Sequence, residues 1–216
     1  MLAALFALSG PFSHAMPKAP ETLDRVVASV DGIAVTQSDV EKEYRFEMFL
    51  DGTVSNAASD VSTLERVRDR LIDQMLLLRE AAAESIPASE SANLPSPALA
   101  DIRNKFENEK TFGFALQSLG MSEPQLLERL GERNRILQFI DQRLRPSAHV
   151  ERADIEAYYQ KTFVPEFARR ANGPAPALAD VEGQITEILI QKNIDQLLDQ
   201  WLQGLKSSHR VSVHPF

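Results

Sequence analysis

Cysteine is absent from the 216 residues of this chain. Without a thiol the protein has no disulfide, no thiolate nucleophile, and no zinc or iron–sulfur site that depends on Cys. Its stability must therefore come from packing. The absence also fits an oxidising compartment, in which a stray thiol is a liability.

Clusters of positive charge are missing as well. The chain has 23 Lys and Arg against 31 Asp and Glu, a net charge of −8, and no basic run that would neutralise a row of phosphates. No glycines form a phosphate-binding loop, no serine lies in a nucleophile-elbow pattern, and no metal-ligand motif contains the histidines His14, His149, His209 and His214. We therefore expect no nucleic-acid partner, no cofactor, no metal and no catalytic residue.

The chain also lacks a hydrophobic run long enough to span a bilayer, so we expect no stable membrane insertion. Its one notable run, from Leu2 to Leu8, precedes a Gly-Pro break and the small residues Ser13 and Ala15. This pattern over residues 1–20 is typical of a signal peptide, although no Lys or Arg precedes the run. It predicts a periplasmic or otherwise exported protein. The alternative is an N-terminus that is disordered or docks on the core.

Two segments have the alternation of β-strands. Residues 26–36 are rich in β-branched side chains around Asp31-Gly32, which is a strong hairpin signal, and residues 210–214 alternate in the same way. Because the second segment needs a partner, we expect the two to meet in one small sheet. The sequence thus predicts a mainly α fold, a multi-helix core with a small sheet formed by an N-terminal hairpin and a C-terminal strand.

Apolar residues at helical spacing predict the rest of this fold. The predicted helices span residues 39–50, 64–82, 99–106, 112–119, 122–144, 152–161 and 181–205. Capping boxes of Ser38 with Glu41 and of Ser62 with Glu65 predict the starts of the first two. Residues 166–177 are small, contain Gly and Pro, and are expected to form an exposed linker.

The order of four segments is more specific than any one of them. They are residues 27–40 (VASVDGIAVTQSDV), 71–81 (LIDQMLLLREA), 112–143 and 155–159 (IEAYY). Together they resemble the core of the SurA-like periplasmic chaperones, the SurA N-terminal domain family, over most of residues 24–216. The resemblance implies one module, in which N-terminal helices join a late C-terminal helix and strand.

One departure from the family concerns its parvulin prolyl-isomerase domain. In fuller relatives this domain lies just before the closing helix, where the present chain has only the 12 residues 166–177, too few for an independently stable domain. The resemblance therefore implies four parts: a signal-peptide-like segment (1–20), an N-terminal helical chaperone core (21–165), a linker in place of the parvulin domain (166–177), and a C-terminal helix and strand that complete the core (178–216).

The resemblance, together with the lack of catalytic residues, predicts an ATP-independent chaperone, a holdase for unfolded or extended secreted or outer-membrane polypeptides. Met and aromatic side chains adapt to many sequences. We predict that a subset of these residues lines a groove for the client, and the candidates are Phe106, Phe112, Phe114, Met121, Tyr158, Tyr159, Phe163 and Phe167. Any one of them can instead be an ordinary core residue.

Two other functions stay open at this point. The same scaffold could serve as a dedicated partner-binding or assembly subunit, or its core could retain residual peptidyl-prolyl isomerase activity. A broad client range separates the holdase from the dedicated subunit. A homodimer is a further expectation, because strands near both chain ends and a flexible linker are the ingredients of domain swapping.

Overall fold

The computed structural model describes residues 24–53, 59–84, 96–170 and 173–216, so the signal-peptide-like segment 1–20 lies outside the described residues. Within these ranges the chain forms eight α-helices and three strands, a mainly helical fold with one small sheet, as predicted. The strands are β1 (Val26–Val30), β2 (Ile33–Thr36) and β3 (Val211–Val213). The helices are α1 (Gln37–Leu50), α2 (Val61–Ala83), α3 (Ser96–Arg103), α4 (Glu109–Ser118), α5 (Glu123–Leu144), α6 (Arg152–Tyr158), α7 (Val164–Arg170) and α8 (Leu178–Ser208).

The sheet joins the two ends of the described chain. Its strand order is β2-β1-β3, and both pairings are antiparallel. The turn between β1 and β2 places Asp31 at φ 50° and Gly32 at φ 88°, two consecutive left-handed residues of the kind that a two-residue hairpin requires. On the other side of β1, Ser29 pairs with Ser212, 183 residues away. The predicted hairpin and its pairing with the C-terminal strand are both confirmed.

Asp31 also fastens the hairpin turn to the end of α8. Its backbone N–H donates to the Arg210 carbonyl, and its Oδ1 accepts from the Arg210 N–H, both at 2.9 Å. Its Oδ2 lies 2.7 Å from His209 Nδ1 and 2.7 Å from Arg79 Nη1. The hydrogen bonds from Arg210 and His209 lower the pKa of the Asp31 carboxyl below its usual value.

The largest hydrophobic cluster lies between the sheet and the long helices. It contains Val27 and Val30 of β1, Leu76 of α2, Ile140 of α5 and Ile194 of α8, all buried. The apolar stripe of α2 therefore faces the centre of the protein, as its spacing predicts.

Two smaller clusters extend this core. One joins α1, α3, α4 and α5 around Phe46 and Leu126. The other joins α6 and α8 through Ile155, Val181 and Ile185. The fold is thus built from three adjoining apolar regions rather than one.

The starts of α1 and α2 differ from the sequence prediction. Thr36, not Ser38, caps α1, because its Oγ1 accepts from the Asp39 N–H at 3.3 Å while Asp39 Oδ2 accepts from the Thr36 N–H at 3.0 Å. Asp60, not Ser62, caps α2 by accepting from the Thr63 N–H at 2.9 Å. A carboxylate is a stronger acceptor than a hydroxyl, and hydrogen bonds from Ser62 and Thr63 lower the pKa of Asp60 to about 2.

The helix predicted to end at residue 161 instead continues to Arg170. A π-helical turn, Tyr159–Phe163, connects α6 to α7, and the Val164 N–H donates to the Tyr159 carbonyl across it. Pro165 is the second residue of α7, inside this continuous helical run, and it has no N–H to donate to the preceding turn. The linker predicted over residues 166–177 is therefore helical up to Arg170, and its extended described part is residues 173–177.

Candidate polypeptide-binding surfaces

Two of the predicted client-binding residues are core residues. Phe106 and Phe112 are only 9% and 3% exposed, and they pack around Phe49 of α1. The three ring centroids lie 5.1 to 5.6 Å apart, in tilted or edge-on arrangements that aromatic rings favour. This triad holds α1, α4 and the turn after α3 together, and it leaves Phe106 and Phe112 little surface for a client.

Phe114 and Met121 have different surroundings from that triad. Phe114 lies on the outward side of α4 and is 66% exposed, which is a large apolar area for a single side chain. Met121, just after α4, is half-buried against the same cluster as the triad. Within this predicted group, Phe114 is thus the one side chain of substantial exposure.

The other four predicted residues lie along α6, the π-helical turn and α7, and three of them form an aromatic row. Tyr158, Tyr159 and Phe163 pack partly against the third cluster, and the Tyr159 hydroxyl donates to the Pro176 carbonyl at 2.8 Å. Tyr159 stacks on Phe163 and Phe163 stacks on Phe167, with centroids 5.8 and 6.0 Å apart. Residues four apart are neighbours on a helix surface, which allows each pair of rings to stack.

The two predicted groups pack against different hydrophobic clusters. Phe106, Phe112 and Met121 belong to the cluster around α4, whereas Tyr158, Tyr159 and Phe163 belong to the cluster of α6 and α8. A groove shared by the two groups stays a prediction. The spacing along the chain predicts which residues are apolar, but it does not show which helices pack against each other.

The sequence did not predict a further apolar surface, a cleft where α1, α2, α5 and α8 meet. It has a volume of about 260 Å³. Its apolar wall consists of Leu71, Leu77, Ile136, Leu137, Leu198 and Leu202. Leu137 is 65% exposed, so the cleft is open to solvent and offers apolar surface to a ligand.

Glu43 of α1 lies at the edge of this cleft and is buried. Its side chain is 4% exposed and forms an ion pair with Arg129, while Arg133 Nη1 lies 3.8 Å from its Oε1. Burial raises the pKa of the Glu43 carboxyl, and the positive charge of Arg129 opposes this rise. The Arg129 guanidinium also lies 4.0 Å from the centroid of the Phe46 ring, which fixes it over the second cluster.

The other charged residues of the cleft are also paired within the protein. Arg70 makes a two-pronged ion pair with Glu47, with Nε to Oε1 at 2.9 Å and Nη2 to Oε2 at 2.5 Å. Asp73 Oδ1 lies 2.5 Å from Lys206 Nζ. The charged residues at the rim are therefore paired with other residues of the protein. A ligand that covers the apolar wall does not need to supply an opposite charge.

One sequence signal could have indicated this cleft. Glu43 occupies the buried side of α1 together with Val40 and Phe46, where an apolar residue is the usual choice. A buried carboxylate needs a positive partner, so its position predicts a neighbouring Arg or Lys. The sequence alone does not show that this partner comes from α5.

Comparisons with known proteins give no match at the level of sequence. No protein-family model matches the chain, and no curated protein matches it. Among the described helices, none is long and apolar enough to cross a membrane. Within the same ranges, no three His, Asp or Glu side chains are grouped so that they could share a metal ion.

Proposed function

We propose that the chain is an exported, ATP-independent chaperone of the SurA-like type. In this role it holds unfolded secreted or outer-membrane polypeptides in transit, and it lacks the prolyl-isomerase domain of fuller relatives. Binding is passive, so affinity must be low enough for a client to leave without an energy source.

The observation that carries the proposal is the cleft between α1, α2, α5 and α8. Its wall is made of leucine and isoleucine, and each of its charged residues is paired inside the protein. Contact with apolar side chains contributes roughly 25 cal/mol per Å² of buried surface, whatever the sequence that supplies them. A surface of this kind selects for exposed apolar segments, which unfolded polypeptides have and folded ones lack.

Two further features support the proposal. The hairpin pairs with the C-terminal strand, and α8 shares the largest hydrophobic cluster with β1, α2 and α5, an arrangement of the kind that the family resemblance implies. The stacked row of Tyr159, Phe163 and Phe167 adds a second adaptable apolar surface.

A single charge in the cleft should weaken client binding. We expect the protein without nucleotide to suppress the aggregation of a chemically unfolded outer-membrane protein, measured by light scattering. Leu137→Glu places a carboxylate on the exposed wall of the cleft, at a cost of about 1–3 kcal/mol when a client covers it. The protein concentration needed for half suppression should therefore rise by about tenfold or more.

The matched control is Leu127→Glu, which introduces the same charge on the same helix at a residue 37% exposed and outside the cleft. It should leave suppression unchanged. Equal loss in both variants would remove the cleft from the proposal. No suppression of several unrelated clients by the unaltered protein would refute the holdase, and suppression of one client alone would indicate a dedicated partner.

A further inference from the structure

A second pocket lies between α8 and the helix formed by α6 and the π-helical turn. Its volume is about 330 Å³. Val150, Ala157 and Leu189 form its apolar floor, and Val150 and Leu189 are packed against the third hydrophobic cluster. The apolar floor therefore contains residues from both sides of the pocket and is held by packing.

Hydrogen-bond donors surround this floor. Tyr158 and Thr162 come from the first wall, and Asn193 and Gln196 come from α8. Asn193 Nδ2 donates to the His149 carbonyl at 2.6 Å, which holds its side chain in place. Lys161 of the first wall and Lys192 of α8 also line the pocket, and both are exposed.

Two lysines and one aspartate line the pocket, which leaves an excess of one positive charge. Asp154, the acidic residue of the pocket, accepts from the Glu151 N–H at 3.4 Å as part of the helix cap. Nearby Glu156 and Glu182 are both paired with Arg152. Within the described part of the chain, neither Lys161 nor Lys192 makes an ion pair. The pocket is thus positive in a protein whose net charge is −8.

The pocket lies on the same helix as the aromatic row. Lys161 and Thr162 belong to the π-helical turn, and so do Tyr159 and Phe163, which begin the row. π-Helical turns occur frequently at functional sites. One extended segment could place an apolar side chain against the rings and a negative group between the lysines.

We propose that this pocket binds a carboxylate of the client polypeptide, either an acidic side chain or a chain-terminal carboxylate, beside the aromatic row. A carboxylate accepts hydrogen bonds only, which matches two ammonium groups and the hydroxyls of Tyr158 and Thr162. The inference rests on the proposed function, since it names the chemistry of the bound segment. It also gives this pocket a property that the cleft lacks, because binding between unpaired charges is sensitive to salt.

Three fluorescently labelled peptides with the same apolar and aromatic residues test this inference by fluorescence anisotropy. The first carries one Glu and a terminal amide, the second has Gln in that position and a free terminal carboxylate, and the third has Gln and a terminal amide. We expect the better of the first two to bind about tenfold more tightly than the third, or about 1.4 kcal/mol. The comparison between the first two identifies the source of the carboxylate.

The double variant Lys161→Gln/Lys192→Gln should abolish this tenfold difference and its salt dependence while it leaves the third peptide unaffected. Its matched control is Lys42→Gln/Lys110→Gln, which removes two exposed lysines on α1 and α4; here the difference should persist. If all three peptides bind equally to the unaltered protein, the carboxylate site is refuted while peptide binding stands. If none binds and aggregation is not suppressed, the holdase itself is refuted.

Discussion

Glu43 and Asp31 are carboxylates in opposite electrostatic environments. Glu43 is buried at the edge of the cleft, and burial raises its pKa despite the nearby Arg129. Asp31 accepts hydrogen bonds from Arg210 and His209, which lower its pKa. A shifted pKa links the protonation of a group to the stability of the fold. The two residues should therefore affect the pH dependence of stability with opposite signs.

We expect the stability of the Glu43→Gln variant, relative to that of the unaltered protein, to increase as pH rises. Because the folded protein binds the Glu43 proton more tightly than the unfolded chain does, the unaltered protein loses stability as pH rises from about 4.3, the ordinary value for Glu, through the folded pKa. The Gln variant cannot lose a proton and escapes this change. The difference in free energy of unfolding between the two proteins, measured in urea at several pH values, should shift in favour of the variant.

Asp31→Asn serves as the comparison. Asn tolerates the left-handed backbone at this position, so the turn should persist. Here the unaltered protein gains stability relative to the variant as pH rises through the lowered folded pKa towards about 3.9, and loses this advantage on acidification. Parallel pH trends in the two variants would contradict the assigned environments.

At the scale of elements, two glycines follow helix ends in the left-handed conformation but have different surroundings. Gly52 follows α1 at φ 76°, and a Cβ on it would lie 2.7 Å from Lys105 Cβ and 2.8 Å from the Lys105 carbonyl oxygen. Gly120 follows α4 at φ 66°, and a Cβ there would have nothing within 4 Å. Both positions need the conformational freedom of glycine, but only Gly52 also needs its small size.

Alanine at these two positions should therefore have unequal costs. We expect Gly120→Ala to lower the free energy of unfolding by about 1 kcal/mol, the cost of a left-handed backbone with a side chain. Gly52→Ala adds a clash with backbone atoms, so its cost should reach at least about 2 kcal/mol. Urea unfolding of the two variants side by side measures the difference, and equal costs would show that the turn after α1 moves away from Lys105.

The elements could be predicted from the sequence better than their boundaries or their packing. Helical spacing and the Ser122 capping box predict α5, and the Asp-Gly turn predicts the hairpin. The caps of α1 and α2 were misplaced by two residues, because neighbouring polar side chains compete for the same N–H groups. Pro165 indicated a helix end, but a π-helical turn carries the helix past it.

The candidate sites were harder to predict because each is made by two or more helices that are distant in sequence. Leu71 and Leu137 show helical spacing in their own segments, yet nothing in either segment places them in the same cleft. The same holds for Lys161 and Lys192. The aromatic candidates for client binding were chosen by residue type, but Phe106 and Phe112 are buried in the core.

At the scale of the whole molecule, β3 closes the fold by pairing with β1. Hydrogen bonds from Asp31 N–H to the Arg210 carbonyl and from His214 N–H to the Val27 carbonyl flank Ser212, which pairs with Ser29. In an antiparallel strand, successive residues direct their backbone N–H and C=O groups to opposite sides. The backbone groups of Ser212 therefore point towards β1, and those of Val213 point to the open edge. Buried Arg68 of α2 holds the same segment by donating to the His214 carbonyl at 3.2 Å.

Proline should therefore have different effects at these two adjacent positions. We expect Ser212→Pro to lower the free energy of unfolding by about 2 kcal/mol, because it removes an N–H that faces β1. Val213→Pro removes an N–H on the open edge and should cost much less. Thermal unfolding followed by circular dichroism measures both, and a larger loss for Val213→Pro would contradict this register.

The pairing of Ser29 with Ser212 also determines when the protein can finish folding. Ser212 follows Ser29 by 183 residues, which take roughly 9 to 37 seconds to synthesise at about 5–20 residues per second. For that time β1 has only β2 beside it, and a two-stranded hairpin is marginally stable in water. Completion of the core therefore waits for nearly the whole chain, so the protein stays incompletely folded while it is made.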